Sequence, residues 1–285
     1  MDGDWLAKVR DTAVETRRVQ HDGCPIQSAG WPSEAVAGRG LLFLHGRNAN
    51  LHWWALVAPH LRGTGRCVAM DFSGAGDSGR RAQYSLPIHA AEVMAVAQAW
   101  DLDRPVLVAH SFGGFVAIQA VVDRPDRFGG LVIVDSPLAK QAAGNLPEIA
   151  PRPKRHYPDR ATILARFRLL PEQAAARPEL LAYLAENAVR HEPEGWCWKF
   201  DGAGIDRSRS DRIFADLPAA LERLPGPVAF IAGSDSRLIG PADHSLARGM
   251  SPKMTTHAIA GAAHHIMVDR PRELADLLRQ ILAPG

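Results

Sequence analysis

Cysteine is scarce in this sequence: three residues in 285, at Cys24, Cys67 and Cys197. An odd number of widely spaced cysteines excludes a disulfide framework as the source of stability and fits a reducing compartment. No run of 18 consecutive apolar residues occurs, so no membrane span is expected. The opening string, MDGDWLAKVR, carries acidic residues early and has no apolar core, which is unlike a secretory signal. These absences together predict a soluble, cytoplasmic protein. An excess of one charge sign is also missing: 33 Lys and Arg stand against 31 Asp and Glu, a net charge of +2. That is too little to draw a nucleic-acid partner. Internal repeats and low-complexity tracts are lacking as well.

What remains is an ordinary globular composition, 46% hydrophobic and 22% charged, at a length that suits one large α/β domain with an insertion. Short apolar runs stand at Leu41–His45, Cys67–Asp71, Val106–His110, Leu131–Asp135, Val228–Gly233 and Thr255–Gly261. They are near-continuous rather than alternating, as in strands buried on both faces of a parallel sheet. Helix-like stretches lie between them, at Pro87–Trp100, Phe112–Asp123, Asp243–Met250 and Arg272–Leu282. This βαβα alternation predicts a mostly parallel sheet with helices on both faces. Between Asp135 and Val228 the alternation breaks. From Leu138 to Asp216 no convincing strand is visible, and the middle of the segment has helical spacing. It reads as a helical cap, 138–216, inserted into a core formed by 1–137 and 217–285.

The strand ending VLVAH runs directly into Ser111, giving Ala109-His110-Ser111-Phe112-Gly113-Gly114. This is G-x-S-x-G with alanine in the first small position. A sharp strand-to-helix turn lifts the serine oxygen above the sheet edge, and small neighbours let strand and helix approach. The amides at the start of the following helix point toward developing negative charge. Taken alone, the string could equally be a serine N-cap. Other segments add weight. The first apolar run ends His45-Gly46-Arg47, where a backbone N–H can supply half of an oxyanion hole, so Arg47 and Phe112 are the candidate amide donors. The C-terminal run leads into Ala262-Ala263-His264-His265. A histidine just past the last strand can reach a serine at the same sheet edge. His264 is preferred as the base and His265 as a pocket wall. A metal pair there lacks its other ligands. The string from Gly74 to Gly79 spells G-x-G-x-x-G, but no apolar helix follows it, so no dinucleotide is expected.

LHGRNAN, DFSGAGDS, AHSFGG and GAAHH occur in the order of the oxyanion loop, glycine loop, nucleophile elbow and histidine loop of the α/β-hydrolase family, which the sequence resembles from about Gly40 to Leu282. The resemblance implies a cap over an acyl pocket, no cofactor, a small-molecule acyl substrate, and hydrolysis of esters or related bonds. The family's usual acid position falls on Ser236, with Asp235 one place early. Asp135 is the other candidate. Its strand follows the elbow helix and should lie beside the serine strand, about 4.8 Å away. Some small esterases of this family are similar in carrying the aspartate 24 residues after the nucleophile, the Ser111–Asp135 spacing, with serine at the usual acid position. Asp135 is therefore preferred, Ser236 is taken as a supporting fourth member, and Asp235 is kept as the alternative.

His45, Gly46, Trp54, His110 and His265 are expected at the substrate site. Phe167, Leu169, Leu170, Tyr183, Trp196, Trp198 and Phe200 could line an apolar pocket or pack the cap. Arg152, Lys154, Arg155 and Arg160 could attract anions or form a solvated face. The expected activity is a serine carboxylesterase or thioesterase acting through an acyl-enzyme, in a monomer or homodimer. The same triad also serves C–C bond hydrolysis, lyase or cofactor-free peroxidase chemistry, and the fold can act as a non-catalytic binding module.

Overall fold

The computed structural model of the protein describes residues 3–33, 40–61, 63–139, 153–173, 176–206 and 210–283. An eight-stranded sheet has the order β1-β2-β4-β3-β6-β7-β11-β12. Its strands are β1 (Glu15–His21), β2 (Cys24–Trp31), β3 (Leu41–Leu44), β4 (Cys67–Met70), β6 (Val106–His110), β7 (Gly130–Val134), β11 (Val228–Gly233) and β12 (Met254–Ile259). From β4 to β12 every pairing is parallel, while β1–β2 and β2–β4 are antiparallel. Each of the six expected apolar runs forms one of the parallel strands.

Why those runs are continuous follows from the layers. Leu42, Leu44, Leu107, Ala109, Leu131, Ile133 and Phe230 join one core, with the helices Leu86–Ala99, Phe112–Asp123 and Ser210–Glu222. Their sequence neighbours Leu41, Phe43, Val106, Val108, Val132 and Ile231 join a second core on the opposite face, with the helix Pro271–Leu282 and Trp54. A two-residue side-chain period with both faces covered leaves no polar position in the strand. Each large side chain so buried contributes about 1.5–3 kcal/mol.

The antiparallel pair β1–β2 was not read from the sequence. In β1, ETRRVQH, every residue is exposed or half-buried, so it carries no apolar run. Its signal was the turn: Asp22 and Gly23 both have positive φ, 45° and 72°, as a two-residue Asp-Gly hairpin requires.

Between β7 and β11 the chain leaves the sheet. The expectation of a segment without strands is corrected here. Besides the helices Arg160–Leu164 and Pro178–Asn187, it contains an antiparallel hairpin of β8 (Val189–Glu192) and β9 (Gly195–Trp198). A further short strand, β10 (Ile205–Asp206), pairs with β5 (Tyr84–Ser85). The turn Pro193-Glu194-Gly195 was the missed signal: Gly195 has φ 121°, a conformation that favours glycine. The start of the segment, including Arg152, lies outside the described residues. Polar contacts tie the segment to the loop after β4. Asp201 N–H donates to Gly74 O at 2.6 Å, Lys199 pairs with Asp77 at 2.7 Å, and Arg190 donates to Gly76 O. Among the described residues no helix is long and apolar enough to cross a membrane.

Candidate active site

The strands β3, β6, β7 and β11 end at one edge, and the site is built from the residues that follow them. β6 runs into Ser111, whose backbone has φ 51° and ψ −115°. That conformation costs a non-glycine residue on the order of 1–3 kcal/mol. It persists because the surroundings over-determine it: Ser111 N–H donates to Val134 O at 3.0 Å, and Ser136 Oγ donates to Ser111 O at 2.8 Å. The turn also needs close approach. A Cβ on Gly113 would lie 2.7 Å from the carbonyl oxygens of Leu44 and His45, so only glycine lets the helix meet the end of β3.

His264 arrives from the loop after β12 and is 3% exposed. Its Nε2 lies 3.1 Å from Ser111 Oγ, and its Nδ1 lies 2.7 Å from Asp135 Oδ1. Asp135, at the end of β7, is fully buried. Its carboxylate also accepts from Ser236 Oγ at 2.7 Å and from Gly233 N–H at 2.8 Å. Three donors satisfy a buried charge that would otherwise be costly. Asp235 stands apart: it is exposed and its carboxylate accepts from Ser234 Oγ at 2.8 Å. The structure thus brings Ser111, His264, Asp135 and Ser236 into one chain of hydrogen bonds and leaves Asp235 outside it.

Three further histidines surround this chain, and their partners define what they do. His110 is buried, and its Nε2 lies 2.9 Å from His264 O. A carbonyl can only accept, so this nitrogen carries the proton. Burial, reinforced by His264 and His265 nearby, holds its pKa well below the usual histidine range. His110 therefore ties the elbow to the histidine loop as a neutral ring. His265 has its Nε2 3.2 Å from Leu170 O, packs edge-on against Trp53, and burial lowers its pKa to about 3. His45 accepts from Phe72 N–H at Nε2, 3.2 Å, which leaves Nδ1 to donate to Gly46 O at 2.7 Å. Burial lowers its pKa to about 4, in keeping with a neutral ring. In a trans peptide the C=O and N–H point in opposite directions. Pinning Gly46 O to the His45 ring therefore aims the Arg47 N–H the other way.

A cleft opens beside this loop, lined by His45, Gly46, Arg47 and Phe112 among others. Among the expected substrate-site residues, Trp54, His110 and His265 do not line it. Trp54 is fully buried in the core against Phe43. His45 borders the cleft, but both its ring nitrogens are engaged by the protein. Among the apolar residues of the inserted segment, Phe200 lines the cleft, whereas Leu170 is 79% exposed and Phe167 packs toward Trp198. Sequence reading missed Tyr84, His89 and Ser73, which also line it. Ser73 lies within the glycine loop DFSGAGDS, whereas Tyr84 and His89 follow it on no recognised motif.

Among the described residues, two groups have metal-ligand residue types: His110, His264 and His265, and His156, Glu192 and Cys197. In the first, protein partners already occupy a ring nitrogen of each histidine. In the second, the Lys154 ammonium sits on Glu192.

A profile of the alpha/beta hydrolase family matches residues 41–277. The chain belongs to that family. It is similar to the sn-1-specific diacylglycerol lipase ABHD11 of Mus musculus, 27% identical over 258 residues, covering 85% of this chain and 80% of the lipase. It is also similar to esterase Rv0045c of Mycobacterium tuberculosis, 26% identical over 290 residues, covering 97% of this chain and 92% of the esterase. Among solved structures, the thioesterase domain from the curacin biosynthetic pathway superposes with a TM-score of 0.72 at 22% identity, covering 93% of this chain and 99% of that domain. This α/β-hydrolase has esterase and lipase relatives across most of its length, and its eight-stranded sheet is the family's fold.

Proposed function

We propose that the protein is a serine hydrolase that cleaves carboxylic esters or thioesters of small to medium acyl groups through an acyl-enzyme. The observation that carries this is the continuous Ser111–His264–Asp135 relay, 3.1 Å and 2.7 Å, on a strained serine backbone. The esterase and lipase names of the relatives, and the thioesterase among the structural neighbours, support the same reading. The span 138–216 is read as a cap inserted into the hydrolase core.

In the first half-reaction Ser111 Oγ bonds to the carbonyl carbon while its proton moves to His264 Nε2. Asp135 holds the ring with Nδ1 as donor and stabilises the imidazolium, while Ser236 steadies the carboxylate. The carbonyl oxygen, now negative, is held by the N–H groups of Arg47 and Phe112, each such donor being worth about 100- to 1000-fold in rate. The bond to the leaving oxygen or sulfur then breaks, and His264 returns the proton to it. Water repeats the sequence on the acyl-enzyme, giving a carboxylic acid and free Ser111. Neutral His45 and His110 act here as positioning residues, one for the Arg47 amide and one for the His264 loop.

The test is turnover of p-nitrophenyl acetate and butyrate with labelling by a fluorophosphonate probe. Turnover and labelling that both vanish in Ser111→Ala are expected. Labelling without turnover of any ester would move the reaction to another bond type. Neither turnover nor labelling would leave a binding module on this fold.

A further inference from the structure

A ring that must take a proton from one atom and give it to another needs a fixed backbone beneath it. His264 lies between β12 and the single-turn helix Ile266–Asp269, and Ala263, His264 and His265 are each tied down by a different partner. Ala263 N–H donates to Asp269 Oδ2 at 2.8 Å. The His264 carbonyl accepts from His110 Nε2. His265 N–H precedes the helix and has no acceptor within it; it donates instead to Gln173 Oε1 at 2.6 Å. Gln173 Nε2 in turn donates to Asp269 Oδ2 at 2.7 Å. One side chain thus joins the supports of the two amides that flank His264. The His265 ring adds a contact to the same stretch, donating from Nε2 to Leu170 O at 3.2 Å.

Gln173 does not belong to the eight-stranded sheet or its helices. It comes from the segment between β7 and β11, on a stretch anchored by Leu169, which joins the core that holds Trp54 and the helix Pro271–Leu282. The two partners dictate the residue type. The Asp269 carboxylate accepts and the His265 N–H can only donate, so the side chain between them must offer a donor on one arm and an acceptor on the other. Glutamate would set a second carboxylate against Asp269, lysine has no acceptor, and methionine has no donor and only a weak acceptor. Asp269 is 6% exposed, and its Oδ1 has no partner among the described residues. The bonds to Oδ2 therefore carry this buried carboxylate.

Resting on the serine-hydrolase reading, we propose that Gln173 is a positioning residue for His264, supplied to the catalytic frame by the inserted segment. It acts through the backbone on either side of His264 rather than on the reacting atoms. His264 Nε2 lies 3.1 Å from Ser111 Oγ and must reach the leaving atom with the same proton, and misplacement by about 1 Å can cost about a hundredfold. The two proton transfers are not equally exposed to such a loss. Removal of the Ser111 proton is needed for every ester. Delivery to the leaving atom matters most when the departing anion is a strong base. Phenolate needs that proton, whereas p-nitrophenolate, stabilised by its nitro group, leaves almost without it. Freed from Gln173, His264 should lose more on a phenyl ester than on the p-nitrophenyl ester of the same acid.

The test is kcat/KM for phenyl butyrate and p-nitrophenyl butyrate in the wild-type protein, in Gln173→Met and Gln173→Glu, and in Glu172→Met as a control, since Glu172 is exposed. The phenyl-to-p-nitrophenyl ratio is read within each protein, so loss of folded material cancels. It should fall about three- to tenfold in Gln173→Met. It should fall also in Gln173→Glu, which keeps an acceptor for the His265 N–H but sets a carboxylate against Asp269. Glu172→Met should keep the wild-type ratio. Should Gln173→Met prove insoluble, or silent on both esters, Gln173→Glu decides alone. An unchanged ratio in the Gln173 variants overturns the positioning role and leaves the hydrolase reading intact, whether or not the overall rate falls. An equal fall in Glu172→Met overturns it too, because any disturbance of the stretch would then suffice. Fluorophosphonate labelling of Ser111 without turnover of either ester removes the ester chemistry and this proposal with it. Neither turnover nor labelling overturns both readings.

Discussion

Replacing Asp135 by asparagine changes one atom and should nearly abolish turnover. The carboxylate accepts three hydrogen bonds: from Gly233 N–H on Oδ2, and from Ser236 Oγ and His264 Nδ1 on Oδ1. Asparagine has one acceptor oxygen and an NH₂ group. Gly233 N–H can only donate, so the amide oxygen must face it; the reverse orientation sets two donors against each other in a buried site, at about 1–3 kcal/mol. The NH₂ then faces Ser236 and His264. The serine hydroxyl can rotate to accept. His264 can accept only by moving its ring proton from Nδ1 to Nε2, and Nε2 then cannot take the proton of Ser111. Loss of the productive tautomer costs about 10⁴ in kcat, or about 5 kcal/mol of barrier at 1.36 kcal/mol per decade. Every buried polar atom keeps a partner, so the variant should fold normally. The assay is kcat on p-nitrophenyl butyrate for Asp135→Asn and Asp235→Asn, with thermal unfolding as a control. Asp235 is exposed, and its variant should stay within about twofold of wild type. More than a tenth of wild-type kcat in a folded Asp135→Asn protein, or a larger loss in Asp235→Asn, would refute this reasoning.

Ser111→Gly should be inactive yet melt a few degrees higher, because glycine adopts φ 51° freely and relieves about 1–3 kcal/mol of strain; an unchanged or lower Tm would count against that strain. Ser236→Ala removes one of the three donors on Asp135 and should lower kcat by about five- to tenfold, with KM nearly unchanged in steady-state kinetics. Burial holds His45 and His52 near a pKa of about 4 and His265 near about 3. Their folded pKa values lie below the unfolded value, so the unfolded chain binds protons first. Stability is then lost as pH falls below about 6.5, by about 2 kcal/mol per histidine at pH 5. Asp71, raised by burial to about 7, works the other way, since the folded state takes its proton first and gains stability toward acid. The three histidines outweigh it, so the urea midpoint should drop between pH 7 and pH 5, and a flat or rising midpoint would contradict the burial of these rings.

The central sheet was legible because its signals are local. A strand covered on both faces must be apolar throughout, as VLVAH and LVIVD are. A strand-to-helix turn with its serine above the sheet needs small residues at set offsets, as Ala109 and Gly113 are. Both requirements act over a few neighbouring residues and leave a readable string. The strands that were missed obey no such rule: β1 is a half-exposed antiparallel edge, its partner β2 is mostly buried but interrupts its apolar residues with Pro25, Gln27, Ser28 and Gly30, and the β8–β9 hairpin was marked only by its turn glycine.

By itself, then, the amino-acid order determined a mostly parallel α/β sheet, its chain of elements, and the serine and histidine loops at its C-terminal edge. Only the tertiary structure decided which carboxylate meets His264. Asp135 and Asp235 both follow buried strands, and the parallel register of β7 and β11 turns one toward the imidazole and leaves the other in solvent. The same holds for the histidines beside Ser111. Whether such a ring reaches substrate or braces a loop depends on which backbone groups claim its nitrogens. For His110 that group is the carbonyl of His264, a residue 154 positions away, and no local pattern encodes a contact across such a distance.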